Sequence, residues 1–324
     1  MPNYQINLIS LQRNDPKGDC SMKWISRISG LFLLFARTAA TQDCSGTGSR
    51  EENNQGAEEV KMAHAGDIDI AYMTMGQGEP IVLIMGYGST MDMWDPRLLD
   101  SLAAKYRVII FDNRGTGNTT APPGNFSIAQ FANDTSGLMA ALGIERYHVM
   151  GWSMGSFVAQ ELAIRYPENV DRLILYAGDC GGREAVMPAA WVLDNLANTS
   201  GTPEEAGMRR FNLLFPKEWL SRQPAFNKWF PLPEETTLAD SINRQSEAIA
   251  AWPGTFDRLK SIRSPSLLVT GKEDLIVPPE NSFILAQRIN VSWLVQFKGA
   301  GHGLMYQYPE RFARIIDDFI ELSD

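Results

Sequence analysis

The chain has 324 residues, with 29 basic and 38 acidic side chains and a net charge of −9. That balance disfavours nucleic acids and anionic membrane surfaces as partners. Three cysteines (Cys20, Cys44 and Cys180) make neither a disulfide framework nor a metal-binding spacing.

Residues 1–59 stand apart from the rest. Lys23 and Arg27 precede the apolar run Leu31-Phe32-Leu33-Leu34-Phe35-Ala36, which looks like a secretory signal starting at Met22. The run is too short to span a bilayer. Cys44 and the polar stretch after it read as a disordered tether similar to the start of a mature lipoprotein, although Thr41-Gln42-Asp43 does not match the usual motif. The expectation is export or a membrane tether, with a leader remnant on a cytoplasmic enzyme as the alternative.

From residue 60 strand-like runs alternate with amphipathic stretches, the pattern of a parallel sheet covered by helices on both faces. A hairpin is expected over Val60 to Ala63 and Ile68 to Met73. Ile81 to Met85 reads as a buried strand ending in Gly86-Tyr87-Gly88, Arg107 to Asp112 as the next strand, and Ala132 to Leu142 as a helix. Tyr147 to Met150 leads into Gly151-Trp152-Ser153-Met154-Gly155, and a helical pattern follows at once. A strand must therefore turn sharply into a helix at Ser153, in strained backbone that glycines on both sides accommodate. After the strand Arg172 to Ala177, residues 183–255 lack a strong strand. They carry Trp191, Phe211, Phe215, Trp219, Phe226, Trp229, Phe230 and Trp252 between proline-punctuated helices. Strands return at Ser266 to Gly271 and Val291 to Phe297, before a final helix from about Tyr308.

A serine becomes a nucleophile only when a neighbouring base takes its proton. The chain has three histidines. His64 falls in the hairpin and His148 at the far end of the strand leading to Ser153. His302, in the glycine-rich loop Gly299-Ala300-Gly301-His302-Gly303, is the candidate base. Its acid is expected at Asp274, on the loop beyond a strand's carboxyl end. Glu273, directly adjacent, and Asp179, after the preceding strand, are the competitors. Two N–H groups would hold an oxyanion, one from Met154 after the nucleophile and one from Tyr87 between its glycines. Gly86, Gly88 and Trp152 are expected to touch substrate. No paired-Cys, His-rich, Walker or dinucleotide pattern is present, so neither a metal nor a cofactor is implied.

In this order and spacing, the segments at 86–88, 112–117, 151–155, 271–274 and 301–302 resemble the α/β-hydrolase superfamily, specifically its cap-bearing serine esterase-like branch. The resemblance covers about residues 60–324. It implies a mostly parallel eight-stranded sheet flanked by helices, with a helical cap inserted after strand 6. The core would then comprise residues 60–182 and 256–324, and the cap residues 183–255. It also implies a Ser153, Asp274, His302 triad, acting on a small apolar ester or lactone without an obligate protein partner. One departure is Met85, which stands where many relatives have histidine before the oxyanion glycine. Acyl transfer, perhydrolysis, carbon–carbon bond hydrolysis and low-turnover ligand binding remain the alternatives on the same residues.

Overall fold

In the computed structural model, residues 59–198, 200–223, 230 and 235–322 are described. The expected leader, with Cys20 and Cys44, lies outside them, as do Phe226 and Trp229. No described helix is long and apolar enough to cross a membrane.

Eight strands form one sheet: β1 (Lys61–Ala65), β2 (Ile68–Met75), β3 (Pro80–Ile84), β4 (Arg107–Phe111), β5 (Tyr147–Trp152), β6 (Val170–Tyr176), β7 (Ser266–Gly271) and β8 (Ser292–Phe297). Their spatial order is β1-β2-β4-β3-β5-β6-β7-β8. The β1–β2 hairpin and the β2–β4 pair are antiparallel, and every other pair is parallel. Parallel strands need crossover helices on the faces, and these are present. They are α1 (Pro96–Ala103), α2 (Ile128–Ala141), α3 (Met154–Arg165), α8 (Glu280–Arg288) and α10 (Pro309–Glu321), with the short α9 (Leu304–Gln307) before the last.

Period-two alternation divides the core into two layers. Ile81, Leu83, Val108, Ile110, Leu267 and Val269 pack on one face with Leu98 and Leu102 of α1 and Phe312 and Ile316 of α10. Val82, Ile84, Ile109, Phe111 and Leu268 pack on the other with Phe131 and Leu138 of α2, Val158 and Leu162 of α3, and Leu285 of α8. Helix α2 starts four residues before the expected Ala132, because the Ser127 hydroxyl caps it by accepting the Gln130 N–H at 3.1 Å.

Between β6 and β7 the chain forms α4 (Ala190–Ala197), α5 (Pro203–Leu214), α6 (Lys217–Ser221) and α7 (Ala239–Ala251). Phe211, Phe215 and Phe230 form an aromatic cluster that reaches Tyr306 of α9, so this insertion packs directly on the segment after His302. Trp252 belongs elsewhere: it stacks on Phe157 and donates its indole N–H to Glu161 at 2.9 Å, both on α3.

The loop after β3 is tied to the sheet through Asp112, which is fully buried and accepts the Met91 N–H at 2.7 Å. Burial pushes its pKa up to about 7, opposed by the Met91 amide and reinforced by the charges of Glu235 and Asp92. A carboxyl whose folded pKa lies above its ordinary value of about 3.9 stabilises fully below that value, and the contribution is lost as pH rises through about 7. Asp112→Asn is therefore expected to gain on the natural chain between pH 4 and pH 8, by on the order of 4 kcal/mol in urea denaturation. Parallel pH profiles for the two proteins would contradict this.

Candidate active site

Ser153 sits between β5 and α3 with φ 55° and ψ −121°, a conformation that costs a non-glycine residue about 1–3 kcal/mol. Packing enforces it. A Cβ on Gly155 would stand 2.0 Å from the carbonyl oxygen of Ile84, and one on Gly151 would stand 2.1 Å from that of Gly155. Only glycine at both positions lets α3 start so close to β3.

His302 is 3% exposed, and its Nδ1 lies 2.9 Å from Oδ2 of Asp274, which is 4% exposed. The other carboxylate oxygen accepts the N–H groups of Ile276 and Val277, each at 2.9 Å. The carboxylate is thus fixed on three sides by donors. Glu273 turns away to accept the Gly299 N–H at 2.7 Å. Asp179 accepts the Gly181 N–H at 2.7 Å, and burial pushes its pKa up to about 6. Of the three candidate acids, Asp274 is the one paired with His302. The remaining histidines lie elsewhere: His64 beside Asp69, and His148 beside Glu79 with its pKa lowered by burial.

The His302 carbonyl is held from two directions. Tyr176 donates its hydroxyl to it at 2.6 Å and Trp152 its indole N–H at 3.2 Å. The Trp152 ring stacks on Tyr176 and lies 5.5 Å from the imidazole. Insertion and loop also meet through backbone, because the Gly303 N–H donates to the Leu214 carbonyl at 2.9 Å.

Ser153, His302, Trp152, Gly86 and Tyr87 border one cavity of roughly 860 Å³, counting the part open to solvent. Met93, Leu196, Phe211, Leu214, Phe230, Ile276 and Tyr306 make its wall largely apolar, as small-molecule sites usually are. Gly88, expected at the substrate, does not border the cavity and gives its N–H to Gln245 of α7 at 2.8 Å. Met154 lies behind Ser153 as the first residue of α3, where helical N–H groups have no partner within the helix. The loop that departs at Met85 has its own support: Asn113 donates to the Met85 carbonyl at 3.1 Å, and the Tyr87 hydroxyl to the Ile242 carbonyl at 3.1 Å. Sequence reasoning missed Tyr176, Gln245 and Arg210. They carry no local motif, and Arg210 becomes a wall residue only once α5 is docked.

A family model described as alpha/beta hydrolase fold matches residues 79–309. A RutD protein of Azorhizobium caulinodans, provisionally named a carbamate hydrolase, is 30% identical over 79% of this chain and 97% of its own. A 2-hydroxy-6-oxononadienedioate/2-hydroxy-6-oxononatrienedioate hydrolase of Pseudomonas putida is 29% identical over 79% of this chain and 92% of its own. Among solved structures, the enol-lactonase of Burkholderia xenovorans superposes with a TM-score of 0.69 at 26% identity, over 81% of this chain and all of that one. The chain belongs to the alpha/beta hydrolase fold family. It is a hydrolase of that family.

Tyr176→Phe removes a donor to the His302 carbonyl and an acceptor for the Met305 N–H, which reaches the hydroxyl at 3.1 Å. The variant is expected to lose about 1–3 kcal/mol of stability in urea denaturation, the cost of a buried amide left unsatisfied. An unchanged midpoint and slope would show that the hydroxyl does not hold this loop.

Proposed function

We propose that the chain hydrolyses a small carboxylic ester or lactone through an acyl-enzyme. The observation that carries this reading is the buried Asp274–His302 pair at 2.9 Å, with His302 and the strained Ser153 bordering one cavity. In the scheme, Ser153 Oγ attacks the carbonyl carbon while His302 takes its proton, and the N–H groups of Tyr87 and Met154 stabilise the oxyanion. His302 then protonates the departing alcohol oxygen as the ester C–O bond breaks. A water molecule, deprotonated by His302, attacks the acyl carbon and releases the acid, and the proton returns to Ser153. Asp274 acts through His302, fixing its tautomer and stabilising the imidazolium. Gly86 and Trp152 border the substrate, and the insertion serves as a cap over it. The reaction as written requires no cofactor.

Relatives named for a carbamate and for an enol-lactone support hydrolysis at a carbonyl carbon. The Pseudomonas putida relative favours one second reading, in which the same three residues cleave a carbon–carbon bond beside a ketone. A 6-oxo-dienoate turned over faster than every ester of a panel would select it.

The full chain is expected to release p-nitrophenol from p-nitrophenyl butyrate over many turnovers. Ser153→Ala should lower kcat by about three orders of magnitude or more, and Asp274→Asn by a comparable factor through a misoriented imidazole. Equal rates for the natural chain and Ser153→Ala would sink the serine mechanism.

A further inference from the structure

The loop after β3 carries the proposed oxyanion donor, and part of its support comes from the insertion. Gly86 lies against the nucleophile, since a Cβ there would stand 3.3 Å from that of Ser153. The Ser89 N–H returns to the Gly86 carbonyl at 3.4 Å, closing a turn through Tyr87 and Gly88. Gly88 has φ 68° while Tyr87 keeps a negative φ, which is the type II arrangement. Types I and II differ in which way the central peptide faces, so the peptide between Tyr87 and Gly88 needs a partner to hold it.

That partner is on α7. Gln245 Oε1 accepts the Gly88 N–H at 2.8 Å, and the Ile242 carbonyl accepts the Tyr87 hydroxyl at 3.1 Å. Ile242 and Gln245 lie on one face of the helix, one turn apart, and both are fully buried. An amide oxygen accepts from N–H and an amide nitrogen does not, so the Gly88 bond fixes how the Gln245 side chain is turned. Its nitrogen then finds no acceptor among the described residues. A buried amide with half its hydrogen-bonding groups unmatched is a poor choice for stability, and the bond to Gly88 is what it gains. Met85, at the start of the loop, brings no side-chain donor.

We propose that Gln245 is a positioning residue for the oxyanion site: it locks the Tyr87–Gly88 peptide, so that the Tyr87 N–H is aimed at the reacting carbonyl only while α7 is docked on the core. This rests on the serine hydrolase reading above. It goes further by giving the insertion a part in the chemical step besides covering the substrate. Gln245 does not border the cavity and touches no reacting atom in this scheme. Its effect falls on the charge that develops in the transition state, not on substrate binding.

The test measures kcat and KM of the full chain and of Gln245→Met, Gln245→Asn and Gln245→Glu on p-nitrophenyl butyrate. Inhibition by a trifluoromethyl ketone is read beside them, because its tetrahedral adduct with Ser153 Oγ puts an oxyanion in the same place. Gln245→Met loses the acceptor, and Gln245→Asn withdraws it by one methylene. Both are expected to lower kcat by about tenfold or more while KM moves by less than about threefold. The inhibition constant should rise by the factor by which kcat/KM falls. Gln245→Glu keeps an acceptor in place and should retain most of the natural kcat. Two variants without the acceptor keep the comparison decisive should one of them fail to fold. An unchanged kcat in a folded Gln245→Met or Gln245→Asn, a change confined to KM, or an inhibition constant that stays put while kcat falls would each overturn the inference. So would a loss in Gln245→Glu as large as in Gln245→Met. Each of these leaves the serine mechanism standing, whereas a natural chain that turns over no ester would remove that reading and the inference with it.

Discussion

Everything at this site depends on the approach of α3 to β3. The first turn of the helix lies so close to the carbonyl of Ile84 that no side chain fits at Gly155, and the same turn leaves no room for one at Gly151, at the end of β5. The chain passes between them only if Ser153 accepts a positive φ. The cost of about 1–3 kcal/mol is met by two buried layers of Val, Ile, Leu and Phe that over-determine the backbone. In return the serine stands beyond the carboxyl end of β5, in the middle of the sheet, where the cavity lies.

The second half of the site is held by aromatic packing and backbone bonds. Tyr176, at the end of β6, stacks on Trp152, at the end of β5, and both reach across to the His302 carbonyl. Asp274 receives three donors, so it cannot rotate away from the imidazole without breaking bonds to Ile276 or Val277. The insertion is coupled to the same loops. Leu214 accepts from Gly303, Gln245 from Gly88, and the Ile242 carbonyl from Tyr87. A movement of α5 or α7 would therefore be felt at the histidine loop and at the loop after β3.

Much of this was legible in the sequence because it is local. The alternating apolar strands, the glycine pair around Ser153 and the acid following β7 each express a constraint that acts within a few residues. Ser266 to Gly271 coincides with the observed strand for that reason. The start of α2 depended on a capping serine that sequence reading passed over, and Trp252 looked like part of the insertion but packs on α3. Arg210 and Gln245 were not legible. Which of two adjacent arginines faces inward is decided by how α5 docks, and a glutamine bonded to Gly88 across 157 positions leaves no local pattern.

The central claim is that the strained serine is the nucleophile and that His302 activates it. The most direct measurement is mass spectrometry of the intact full chain after exposure to a fluorophosphonate, with peptide mapping of the adduct. One phosphonyl group on Ser153, formed rapidly in the natural chain and far more slowly in His302→Ala, is the predicted result. A folded protein that remains unlabelled, or carries the adduct on another residue, would contradict the account.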